Sequence, residues 1–113
     1  MEELNTPIPI RNSNKLIALF MGGELVVENY HGINIIKLTN DKLLDIAQLK
    51  YHISWDWLIP VINKIYDLSE YYIYKYETQT FYSEGGIEIN TKYIEETYKD
   101  VIEFIEWFNF NKK

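Results

Sequence analysis

The chemically densest stretch of the chain is Tyr51-His52-Ile53-Ser54-Trp55-Asp56-Trp57. It holds two of the three tryptophans, one of the two histidines, and a carboxylate four positions after that histidine. Aromatic faces stack on planar molecules, while an imidazole and a carboxylate supply directional hydrogen bonds at the rim. Tyr51, His52, Trp55 and Asp56 are therefore the candidate site for a small planar ligand such as a nucleotide signal. The alternative is structural: the tryptophans staple the start of a helix to the core, and Ser54 or Asp56 caps it. Nucleophilic catalysis is a poor fit. Ser54, His52 and Asp56 lie within five positions of one another and cannot converge on a reacting carbon as a triad must. No Gly-x-Ser-x-Gly elbow exists.

Two further groups carry possible function. Tyr72, Tyr74 and Tyr76 alternate with other residues, so a strand would carry all three on one face. Tyrosine makes good interface area, but it also covers sheets beneath helices. Glu96, Asp100 and Glu103, flanked by Glu95 and Glu106, give a C-terminal helix an acidic exterior. Such a face meets a basic partner, or is simply solvated. These two groups are the candidate interface for a host protein. A metal site is not expected: His31 and His52 are far apart, and no His-Glu-x-x-His or cysteine pair occurs. Gly22-Gly23 and Gly85-Gly86 fit turns rather than a phosphate loop. No cofactor is implied.

Composition narrows the classes further. Of 113 residues, 47% are hydrophobic and 25% charged, which fits one globular domain rather than a disordered tail. Acids outnumber bases 17 to 11, and Arg11 is the single arginine. A chain this acidic is poorly suited to grip nucleic acid through phosphates. There is no cysteine, which suits a reducing cytoplasm. The acidic first residues do not resemble a signal peptide, and the longest apolar run falls far short of the ~20 residues of a membrane span. The expectation is a non-catalytic cytoplasmic protein, with a second copy of the chain as a further possible partner.

The elements that must position these residues follow from periodicity. Residues 1–12 read as an extended lead, with prolines at 7 and 9 blocking helix and Ile8 and Ile10 alternating like an edge strand. A short helix is expected over 14–21, closed by Gly22-Gly23. Stretches 24–30 and 33–39 form a hairpin around His31-Gly32, and 41–49 holds a helical turn or two. Leu58, Val61, Ile62, Ile65 and Leu68 mark one face of a helix over 57–68. A start at Asp56 or Trp57 leaves Pro60 in or near the first turn. Trp57 then shares the buried face, while Trp55 is freer. Strands follow at 71–77, 79–82 and 86–89. Thr91 caps a helix over 92–109 with the stripe Ile94, Tyr98, Val101, Ile102, Ile105 and Phe108. The order α-β-β-α-β-β-β-α predicts a single α+β domain over 1–113, with a small, mostly antiparallel sheet packed by helices.

Three blocks carry a resemblance. Leu16-Ile17-Ala18-Leu19-Phe20-Met21-Gly22-Gly23, then the run from Tyr51 through Trp57 continuing to Ile65, then Val101-Ile102-Glu103-Phe104-Ile105-Glu106-Trp107-Phe108-Asn109 resemble a group of small proteins encoded by Bacteroidetes bacteria and their phages. The blocks span about a third of the chain. Leu19 stands where the group commonly has an acid, and Phe108 where a tyrosine is common. The resemblance implies no activity, cofactor or site residue. It implies a context, an accessory protein of a phage or mobile element, where small counter-defence proteins are frequent.

Overall fold

The computed structural model describes residues 6–68, 73–75, 79–82 and 86–111. The chain is α+β, with three α-helices and two three-stranded antiparallel sheets among the described residues. It divides into two compact units, one ending at Lys50 and the other beginning at Tyr51.

The first unit opens with helix α1, Ile8–Phe20. The extended lead expected over 1–12 is thus corrected, and so is the strand role of Ile8 and Ile10. Both prolines start the helix instead of blocking it. Pro7 takes φ −57° and ψ 149° just outside the helix, and its carbonyl accepts the Arg11 N–H at 2.9 Å. Pro9 falls in the first turn, where N–H groups have no helical partner to lose. Asn14, Ile17, Ala18 and Phe20 are its buried residues. The helix ends as a Schellman turn: the Gly22 N–H donates to Leu19 O at 3.1 Å and the Gly23 N–H to Ala18 O at 2.8 Å. Gly22 has φ +97°, and a Cβ on Gly23 would sit 2.8 Å from that same Ala18 oxygen, so both positions favour glycine.

Strands β1 (Glu24–Tyr30) and β2 (Ile33–Lys37) form the expected hairpin. Tyr30 pairs with Ile33 across the turn, where His31 and Gly32 both take positive φ, 53° and 78°, the hand that matches strand twist. A third strand, β3 (Leu43–Asp45), pairs with β2 where a helical turn was expected. A 3-10 turn, Ile46–Gln48, follows. The Asp45 carboxylate accepts the Ala47 N–H at 2.8 Å, and the Asp45 N–H donates to the Gln48 side chain at 2.9 Å. Ile36, Ile46, Ala47 and Leu49 complete this unit's buried set. Asn14 is fully buried, which its side chain can bear because Nδ2 donates to Leu49 O at 3.1 Å.

The second unit holds helix α2 (Trp55–Leu68), strands β4 (Ile73–Lys75), β5 (Thr80–Tyr82) and β6 (Glu88–Asn90), and helix α3 (Ile94–Asn111). Its sheet runs β4-β5-β6. The later start expected for α2 is corrected. Ser54 O accepts the N–H groups of Trp57 at 3.1 Å and Leu58 at 3.0 Å, so Asp56 lies in the first turn and Pro60 inside the helix. Proline cannot donate to the Asp56 carbonyl, but both residues are exposed, so solvent can serve it. Leu58, Val61, Ile62 and Ile65 are buried, as the spacing predicts, whereas Leu68, expected on the same face, is exposed at the last residue of the helix.

The α3 stripe is also corrected. Thr97, Val101, Phe104 and Ile105 are buried, whereas Ile94, Tyr98, Ile102 and Phe108 are half-buried. Thr97 can lead that stripe because its hydroxyl bonds to Asn90 O and to Tyr93 O. At the helix start, Thr91 gives its hydroxyl and N–H to Gln79 O at 2.7 and 2.8 Å. It ties the turn to the approach of β5 and leaves the helix start to Asn90.

Candidate functional site

The four residues of the aromatic candidate take different positions. Tyr51 is only 5% exposed, and its ring meets Trp57 edge-on, centroids 5.1 Å apart. Burial pushes its phenol up to about 12. A ring so packed offers no open face to a ligand. His52 is half-buried beside Tyr98, with ring centroids 6.1 Å apart. Partial desolvation lowers its pKa below the ordinary histidine value. Trp55 is half-buried and Asp56 exposed at the first turn of α2. Trp57 is also half-buried, short of the fully buried place expected for it, and Tyr51 is the buried ring of the segment.

Of the tyrosine ladder, Tyr72 and Tyr76 lie outside the described residues. Tyr74 lies in β4, where its backbone is opposite Phe81 of β5.

The acidic candidates come together. Glu96, Asp100 and Glu103 occur at i, i+4 and i+7 of α3, one face by helical periodicity. With Glu88 and Asn90 of β6 and with Lys99, they line an open cavity of about 760 Å³ whose rim includes Gly86 and Ile87. Glu88 is the acidic lining residue that sequence reasoning missed. The signal was present in the alternation Glu88-Ile89-Asn90, which turns Ile89 into the core and the other two away from it. The Tyr82 hydroxyl donates to Glu88 Oε2 at 3.3 Å.

Asp100 is the best-held of these acids, since its Oδ2 accepts the Asn90 N–H at 2.8 Å. Its pKa nevertheless rises above the usual carboxylate value. Desolvation is the largest cause, opposed by the Asn90 bond and reinforced by Glu103, Glu88 and Glu96. Between residues 86 and 111 there are six carboxylates and two lysines, so this half-unit concentrates much of the chain's negative charge.

Among the described residues no three His, Asp or Glu side chains are grouped to hold a metal ion. No described helix is long and apolar enough to cross a membrane. Compared with known protein families, curated proteins and solved structures, the chain matches none.

Proposed function

We propose that this is a non-catalytic binding protein, an acidic inhibitor or adaptor that receives cationic side chains of a protein partner in the concavity between β6 and α3. The observation that supports this most is the convergence of Glu88, Glu96, Asp100 and Glu103 on one open cavity. Along α3 the three acids span about 10 Å, from seven residues at ~1.5 Å each, a length over which one partner segment can present two or three basic groups. Like charges gathered without a matching set of cations raise the approach rate of a basic partner and reject acidic ones. The resemblance to phage and mobile-element proteins of Bacteroidetes supports an accessory, counter-defence role in the host cytoplasm.

Lysine- and arginine-rich peptides, titrated against the full chain at low and high salt, test this reading. Binding should weaken with salt and be lost in Glu88→Gln/Glu96→Gln/Glu103→Gln. Equal binding by that variant would refute it.

A second reading keeps the planar ligand, now without Tyr51. It is favoured by His52 and Trp55, which are only half-buried near the start of α2. A nucleotide at a hundredfold its dissociation constant would add about 2.7 kcal/mol of stability, so a thermal-shift series free of any shift would set it aside.

A further inference from the structure

In the turn from β6 into α3, besides the bonds of Thr91 to Gln79 O, four hydrogen bonds meet at Asn90. Its side-chain oxygen accepts the N–H groups of Lys92 at 2.7 Å and Tyr93 at 3.3 Å. Its carbonyl accepts the Thr97 hydroxyl. Its own N–H donates to Asp100 Oδ2 at 2.8 Å. Among these partners only the last is an acid–base group, since the others are backbone N–H groups and a hydroxyl. The same carboxylate belongs to a set of like charges: Glu88 from β6, and Glu96 and Glu103 from α3. Lys99 is the cation lining the same cavity. Tyr82 of β5 reaches the set through Glu88, and Lys92 belongs to the turn itself.

We infer that Asp100 is a proton-sensitive latch on the β6–α3 junction, fastened through the Asn90 N–H when ionised and released on protonation. This needs no partner and so goes beyond the binding reading. Two effects of one proton oppose each other. A carboxylate is the stronger acceptor for a backbone N–H, because charge-assisted bonds are roughly twice as strong as neutral ones. Yet ionisation places one more negative charge among three others in a partly desolvated position. Protonation therefore weakens the bond to Asn90 and at the same time relieves the crowding. A structural carboxylate without these neighbours would show the first effect alone. The upward displacement of the Asp100 pKa agrees with the second.

The test is an NMR titration of the full chain, following the Asp100 carboxyl carbon and the Asn90 amide proton together. Both should move with one midpoint, above the ordinary value of about 3.9 for aspartate. Protection of the Asn90 amide, corrected for intrinsic exchange, should fall on the acid side of that midpoint. In Asp100→Asn the Asn90 amide should lose this titration. In Glu88→Gln/Glu96→Gln/Glu103→Gln the shared midpoint should move down while the two signals stay together. An Asn90 amide that ignores the titration of Asp100, or a midpoint at or below the ordinary value, overturns the latch. The wild-type titration decides this even if a variant folds poorly.

Discussion

Residues 51–57 and the β6–α3 face are both dense in one kind of chemistry, and their side chains are used in opposite ways. In the first, the aromatic at the leading position is withdrawn from solvent: Tyr51 packs against Trp57, and burial pushes its hydroxyl up to about 12. In the second, four carboxylates from two elements are left around an open cavity. Density of functional groups along a sequence is therefore a weak guide to a site. What separates the two regions is cost. Burying an aromatic ring is favourable by a few kcal/mol, whereas burying several like charges is prohibitive. The Tyr51 ring is drawn inward while those of the other aromatics belong to half-buried residues, and the acids must stay where water or a partner can reach them.

The largest effect that could break this comparison lies on the inner side of α3. Ile105 is fully buried, so Ile105→Asp puts an unpaired charge in the core. That should cost ~5 kcal/mol, close to the whole stability of a small domain. A wild-type unfolding midpoint for the variant would mean that the inner and outer faces of α3 have been exchanged.

Next comes the aromatic segment itself. Tyr51→Ala should lose about 3–5 kcal/mol, the range for emptying a buried aromatic site. Half-buried Trp55 and Trp57 should each lose about half as much. Chemical denaturation of the three variants measures this ordering. Equal losses would show that the segment acts as one staple, and a Trp55→Ala loss exceeding that of Tyr51→Ala would place the ligand-facing and core roles the other way round.

The reasons for what was legible in the sequence are specific. The class, the β1–β2 hairpin and the buried face of α2 follow from local rules: two consecutive positive-φ positions at His31-Gly32, and apolar residues at helical spacing from Leu58 to Ile65. The start of α1 was not legible, because Pro7 and Pro9 can interrupt or initiate a helix with equal local logic, and tertiary packing decides between them. Thr97 in the buried stripe of α3 depends on a hydroxyl bond to Asn90, seven residues away and in another element. The acidic helix was visible, but its meeting with Glu88 needs the β6 register, which no helical periodicity contains.

Smaller effects should come from the acids. Glu96→Gln and Glu103→Gln remove charges from exposed positions, and each should change stability by less than about 0.5 kcal/mol. Their effect should appear in the salt dependence of binding a basic peptide, through a lower slope. A stability loss of several kcal/mol from either would show that the acidic face is structural after all.

The smallest expected effect separates the two regions most sharply, because acid should act on them with opposite signs. His52 is partly desolvated, and its folded pKa lies below the ordinary value of about 6.5. The folded state thus resists protonating it, and its contribution to stability is lost as pH falls from about 6.5 through the lowered folded pKa. Asp100 behaves in reverse. Its folded pKa lies above the ordinary carboxylate value, so the folded state binds that proton more tightly than the unfolded chain does. Its contribution is full below the ordinary value of about 3.9 and is lost as pH rises through the raised folded pKa. Melting midpoints of His52→Gln and Asp100→Asn, each subtracted from wild type across pH 4 to 7.5, isolate the two terms. The His52 difference should shrink toward acid, with wild type losing ground below about pH 6.5. The Asp100 difference should move the other way, with wild type gaining on the variant as the solution approaches pH 4. Both groups are partly exposed, so each change should be small and best read as a slope. If the two slopes share a sign, desolvation does not dominate at one of the two positions. The contrast between a region that hides its rings and one that crowds its acids would then fail at that residue.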